Sequence, residues 1–105
     1  MVRFDVMEVD FDPSVGVEIQ KLRPALIVSP DEMNRSLDTV IVAPMTTHGF
    51  AAGTRVPCHF KGQHGFVVLD QMRSISRQRV RRFLGKINPA TGESVLAVLR
   101  EMFAV

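Results

Sequence analysis

At 105 residues and 46% hydrophobic composition, the chain is sized for one domain, spanning residues 1–105, with a core of its own; this argues against disorder. The lone Cys58 excludes an internal disulfide and suits a reducing cytoplasm, no apolar run nears the roughly 20 residues of a membrane span, and no signal-peptide pattern opens the chain. The net charge of +2 is too small to mark a nucleic-acid binder by itself, but it is unevenly spread: residues 1–32 carry acidic Asp5, Glu8, Asp10, Asp12, Glu18, Asp31 and Glu32 against Arg3, Lys21 and Arg23, whereas basic residues dominate from Arg73 onward. Such asymmetry allows one basic face on a nearly neutral protein.

Val2 to Phe11 reads as a strand in which neither parity is purely apolar, so that one end leaves the core. Asp12-Pro13-Ser14-Val15-Gly16 is turn chemistry, and Val17 to Leu22 is an irregular loop. Proline drives the residue before it towards extended geometry, so Arg23-Pro24 places an arginine at the mouth of the buried strand Ala25 to Val28. Ser29 to Asn34 offers a cap and an acidic first turn for a short helix. Thr39 to Met45 is the most apolar strand and belongs at the centre. The loop from His48 to Gly53 precedes an outer strand, Thr54 to Phe60, with Pro57 at an edge or bulge position. Lys61 to Gly65 reads as a hairpin turn into a strand from Phe66 to Met72. Arg77 to Arg82 reads as a short helical or turn segment, polar enough to stay in solvent, followed by a last strand from Phe83 to Ile87. Asn88-Pro89 supplies an N-cap and a first-turn proline, and Val95, Leu96, Leu99, Met102 and Phe103 form an apolar helical stripe. Several short strands and an amphipathic terminal helix fit an α+β, mostly β, fold: an antiparallel barrel or half-barrel closed by that helix.

Five motifs stand in register: Asp10-Phe11-Asp12-Pro13, Gly16-x-Glu18, Arg23-Pro24, the apolar strand ending in Thr46, and Asp70-Gln71-x-Arg73-Ser74-Ile75. In this order they resemble the MazF/PemK family of toxins, small ribonucleases from toxin–antitoxin pairs, over nearly the whole chain. The chain departs from the family at Glu18-Ile19-Gln20-Lys21, where the family usually continues Glu-Gln-x-Gly, and at Met7, where an aromatic residue is common. The resemblance implies an SH3-like antiparallel β-barrel with a short helix and a C-terminal helix, and a homodimer. It also implies a cytoplasmic endoribonuclease of single-stranded RNA, typically mRNA, held by a cognate antitoxin protein, with DNA contacted only through that antitoxin and no membrane involved. No cofactor follows from it.

The residues can be weighed for chemistry beside that resemblance. His48, His59 and His64 lack close metal-ligand spacing and no cysteine pair accompanies them, so no metal site is expected. Cys58 and His59 are neighbours, and on a strand they would face opposite ways, which denies them a thiol–imidazole dyad. Metal-free RNA cleavage uses the ribose 2′-hydroxyl as nucleophile; the protein must take that proton, protonate the leaving 5′-oxygen and stabilise charge on the phosphoryl oxygens, giving a 2′,3′-cyclic phosphate and a 5′-hydroxyl. A guanidinium matches two phosphate oxygens, and a threonine hydroxyl adds a donor. By resemblance Arg23 and Thr46 are the catalytic pair. A guanidinium is already protonated and is a poor general base, so Arg23 suits stabilising the phosphate and donating a proton better than abstracting one. Glu18 is a candidate base, or a carboxylate that orients Arg23. Thr47, His48, Gln71 and Arg73 are candidate RNA contacts, and Asp70 fixes local structure.

Arg77, Arg79, Arg81 and Arg82 fit an RNA track, an antitoxin contact or a solvated face equally. Two other functions stand beside the ribonuclease: a gyrase-poisoning toxin resembling CcdB on the same fold, and a non-catalytic SH3-like binding module. The absence of tryptophan weighs against the gyrase poison.

Overall fold

The computed structural model describes residues 1–105. Strands β1 (Asp5–Asp10), β2 (Leu22–Ile27), β3 (Thr39–Thr46), β4 (Arg55–Phe60), β5 (Gln63–Val68), β6 (Arg73–Ser76) and β7 (Val80–Lys86) are joined by a short helix α1 (Asp31–Ser36) and followed by α2 (Pro89–Met102). The strands pair antiparallel in the order β4-β5-β3-β2-β1-β7, with β6 also on β3. The sheet curls without closing: β4 and β7 form no ladder, although the Phe60 ring sits so close to Gly85 that a Cβ there would come within 3.1 Å of it. The expected barrel is therefore a half-barrel, mostly β with a terminal helix. No helix is long and apolar enough to cross a membrane.

β3 is central, as its composition implies. Val42 pairs with Ile27 on one edge and Arg73 on the other, while Met45 and Thr46 pair with Val67 and Phe66 of β5. β5 and β6 thus run along one edge of β3, interrupted by a single 3₁₀ turn at Leu69–Gln71. That turn and β6 replace the continuous strand expected to Met72.

Curling buries both faces of the inner strands. Val6, Leu26, Ala43, Met45, Cys58, Val67 and Leu69 form one cluster beneath Val95 of α2. Met7, Val9, Phe11, Ala25, Ile27, Val40, Val42 and Ile75 form the other. This is why β1 shows no clean alternation: Val6 enters one cluster, Met7 and Val9 the other, and Glu8 and Asp10 leave the core.

Glu8 and Asp10 meet β7. The segment expected as a short solvated helix or turn is a 3₁₀ turn over Arg77–Arg79 and is strand β7 from Val80 onward. Three ion pairs join the two strands: Lys86–Asp5 at 2.6 Å, Arg81–Asp10 at 3.0 Å and Arg82–Glu8 at 3.3 Å. Two register shifts against β1 break the alternation of β7, leaving Arg81, Arg82 and Phe83 all exposed. The uneven charge of the sequence is therefore largely cancelled by strand pairing.

Three local expectations change. The β4–β5 hairpin turns on Lys61-Gly62 alone, both at positive φ (50° and 79°), so β5 begins at Gln63. Ser29 does not cap α1; its hydroxyl is buried, donating to Asn34 Oδ1 and accepting from the Ile41 N–H. Asn88 caps α2 as expected, accepting from the Ala90 N–H at 2.8 Å, but Phe103 lies beyond the helix and is 71% exposed.

Partial burial pushes the Asp5 carboxyl up, but hydrogen bonds from Lys86 and the Val2 N–H outweigh it and hold it below the ordinary aspartate range. Asp10 is lowered by the Asp12 N–H and then by Arg81. Carboxylates depressed in the fold stabilise it above their unfolded range, and that contribution disappears as pH falls. The thermal midpoint should therefore drop from about pH 5 to about pH 2, and Asp5→Asn should flatten the drop. A wild-type midpoint that is flat across this window, or an unchanged slope in Asp5→Asn, would contradict the assignment.

Candidate active site

β2 and β3 pair Ala25 with Pro44, Leu26 with Ala43 and Ile27 with Val42. Carried two residues further, the register sets Arg23 opposite Thr46, and two residues along a strand restore the same face. Both residues line a cleft of about 230 Å³ together with Pro24, Met45, Thr47, Cys58, Phe60 and the Gln63–Gly65 segment. The half-buried Arg23 donates from Nε to the Gln20 carbonyl at 3.2 Å and makes no ion pair with any carboxylate. Thr46 Oγ1 accepts from the His48 N–H at 3.1 Å, which leaves its hydroxyl proton free to donate.

Of the other sequence-predicted residues, only Thr47 shares that cleft. Glu18, Asp70, Gln71 and Arg73 line a second cleft of about 610 Å³ with Phe11, Val17, Ile19, Pro44, Arg55 and Met72. The Glu18 carboxylate accepts from the Val15 N–H at 2.6 Å, tying its own loop. The exposed His48 lines neither cleft, and its backbone serves Thr46. Thr47 lines the first cleft. Arg73 is half-buried at the start of β6 and forms no ion pair.

The Leu69–Gln71 turn anchors both loops that flank the first cleft. Gln71 Oε1 accepts from the Ile19 N–H at 2.8 Å, holding the loop that leads into Arg23. Asp70 accepts from Arg55 Nε and NH2, both at 3.2 Å, and from Thr54 Oγ1 at 3.1 Å. Partial burial pushes the Asp70 carboxyl up, and these bonds outweigh it and hold it below the ordinary range. Arg55 in turn lies over the Phe50 ring, 4.9 Å from its centroid, in the loop that leaves Thr46 and Thr47. Arg55 was not singled out in the sequence; its only signal there is position, a charge at the start of a mostly apolar outer strand.

Cys58 is buried and His59 exposed, as successive strand residues should be. Burial pushes the Cys58 thiol up. His59 pairs with His64 across the hairpin, their rings stacked 4.3 Å apart. No group of three His, Cys, Asp or Glu side chains converges that could hold a metal ion.

A profile of the PemK-like, MazF-like toxins of type II toxin–antitoxin systems matches residues 2–103. The chain belongs to this family. It is 38% identical to the endoribonuclease toxin ChpB of Escherichia coli (strain K12) over 98% of this chain and 91% of that one. The fold superposes on the crystal structure of MazF from Deinococcus radiodurans with a TM-score of 0.86 at 23% identity, covering 100% of this chain and 97% of that one. A mycobacterial endoribonuclease in complex with its cognate antitoxin gives a TM-score of 0.81 at 24% identity, covering 96% and 92%. Relatives of the chain are thus named endoribonuclease toxins, and a structural neighbour is bound to an antitoxin.

The backbone beneath Thr46 depends on Gly65: a Cβ there would lie 2.3 Å from the Thr46 carbonyl oxygen and 3.4 Å from the Thr47 Cα. Gly65→Ala should therefore cost about 1–3 kcal/mol by overpacking. Gly53→Ala, which meets open space at ordinary φ, should stay within about 0.5 kcal/mol. Urea midpoints compare the two, and equal stabilities would refute the close approach.

Proposed function

We propose that this protein is a sequence-preferring endoribonuclease toxin that cuts single-stranded RNA, typically mRNA, without a metal. The observation that carries the reading is the shared cleft of Arg23 and Thr46, in which a guanidinium free of carboxylate partners stands beside a hydroxyl with a proton to give. The 2′-hydroxyl of the substrate attacks the adjacent phosphorus. Arg23 donates two N–H bonds to the phosphoryl oxygens as charge builds on them and protonates the leaving 5′-oxygen, and Thr46 supplies a further donor. Products carry a 2′,3′-cyclic phosphate and a 5′-hydroxyl. Gln71 and Arg73 in the adjoining cleft, with Thr47 and His48 at the loop, extend the surface available to flanking nucleotides.

The names of the relatives support RNA cleavage, and nothing in the cleft favours gyrase poisoning or a purely binding role. Partners follow from the same reading: a cognate antitoxin protein, and a second copy of this chain. The unpaired sheet edges on β4, β6 and β7 support the dimer, since a two-fold interface covers an edge on both subunits at once. We assign the protein to the cytoplasm, where its substrate and a reduced Cys58 are both expected.

The test is incubation of a long RNA transcript with the purified protein in EDTA. Wild type should cut it. Arg23→Ala should lose roughly 10²–10³ in rate, as when one oxyanion donor is removed. Its thermal midpoint should change little, and Arg23→Lys should rescue only partly, because the planar fork is lost. Near wild-type cleavage by Arg23→Ala would remove the assignment.

A further inference from the structure

The cleft holds a donor pair but still needs a group to take the proton of the 2′-hydroxyl. Its titratable side chains are Arg23, Cys58 and His64. A guanidinium is already protonated and offers no acceptor for a further proton. Burial holds the Cys58 thiol in its neutral form, and Cys58 packs into the apolar cluster beneath α2. Glu18 lies in the neighbouring cleft with its carboxylate on the Val15 N–H, and Asp70 is engaged by Arg55 and Thr54. Histidine remains, the side chain suited to exchanging protons near neutrality.

The strand register brings it to the correct face. Thr46 pairs with Phe66, and alternation returns His64 to the face of Phe66, hence to that of Thr46 and Arg23. Diagonal neighbours of this kind lie within about 7–8 Å across an antiparallel pair, a gap that a bound ribose phosphate can bridge. On its other side His64 stacks on His59, 4.3 Å away and nearly parallel at 13°, which restricts the imidazole without consuming its nitrogens. The charged and titratable groups near it are Arg23 from β2, His59 and Cys58 from β4, and Lys61 in the turn.

We propose that His64 is the general base of RNA cleavage, accepting the 2′-hydroxyl proton while Arg23 and Thr46 hold the phosphate. The proposal rests on the endoribonuclease reading. As the O2′–P bond forms, the proton passes to the neutral imidazole; as the P–O5′ bond breaks, the 5′-oxygen takes a proton from Arg23. The imidazolium then loses its proton to water, and Arg23 regains one. Arg23 and Thr46 alone leave the first transfer without an acceptor.

Cleavage sites are first mapped with wild type on a long transcript, and an oligonucleotide spanning one site is then cut under single-turnover conditions across the neutral pH range. The wild-type rate should rise with pH and level off. His64→Gln and His64→Phe should each lose about 10²–10⁴ in rate, the usual share of a general base, and should lose the wild-type rise. His64→Phe keeps an aromatic ring on an exposed strand position, so a wild-type rate and profile in that variant would make His64 a stacking surface and overturn the proposal. A substrate with sulfur in place of the 5′-oxygen needs no acid to leave. Rescue of His64→Gln by that substrate would make His64 the acid and likewise overturn the proposal; continued loss supports the base. If wild type itself cuts no RNA, the endoribonuclease reading fails; if it cuts and His64→Phe matches it, only the base assignment fails.

Discussion

The pairing of Ala25 with Pro44 is the constraint on which the end of the molecule carrying the candidate site depends. It is fixed well inside the sheet, where both flanking strands are buried on two faces and a slip of one residue would turn Ile27 and Val42 out of their cluster. Everything beyond it is carried by alternation. Two residues towards the open end, the same register sets a cation against a hydroxyl on one face. Site geometry is thus maintained by apolar packing several residues away. β5 completes the wall only because Gly65 lets its backbone press against that of Thr46.

The loops on either side of this end are long, and loops of such length carry no register of their own. The Leu69–Gln71 turn supplies it. Gln71 holds the incoming loop by one amide hydrogen bond, and Asp70 holds the outgoing loop through Arg55 and the Phe50 ring. Three consecutive residues, buried at Leu69 and polar after it, therefore join the core to both margins of the cleft. Charge follows a similar logic at the opposite edge. Acidic β1 and basic β7 are far apart in sequence and adjacent in space, so most of the charge asymmetry is spent between strands. Arg23 and Arg73, neither in an ion pair, are the cations left facing the two clefts.

Much of this was legible in the chain. β2, β3, the outer strand with its edge proline and the capped terminal helix follow from composition and turn residues, because each carries a local signal. The family motifs pointed to Arg23 and Thr46, and the register supports their juxtaposition without testing their roles. What was not legible depends on partners. β7 reads as a turn because Arg81 and Arg82 look solvated until Glu8 and Asp10 are placed beside them. β6 is short and half polar, and only its ladder with β3 makes it a strand. The barrel stays open because closure depends on how far the sheet curls, a quantity spread over all its strands. Glu18 shares a loop with the approach to Arg23, yet sequence proximity did not bring it into the same cleft. His64 read as a turn residue because a two-residue turn at Lys61-Gly62 was not separated from the strand that follows it.

The central claim is that the cleft acts on RNA by turning the substrate's own 2′-hydroxyl against the neighbouring phosphorus. It is tested most directly with paired oligonucleotides spanning a mapped cleavage site, identical except for a single 2′-deoxy sugar on the 5′ side of the cut. The account predicts that the all-ribose strand yields a 2′,3′-cyclic phosphate and a 5′-hydroxyl, at a rate EDTA does not change, while the deoxy strand stays intact at that bond. Cleavage of the deoxy strand at the same position would contradict it.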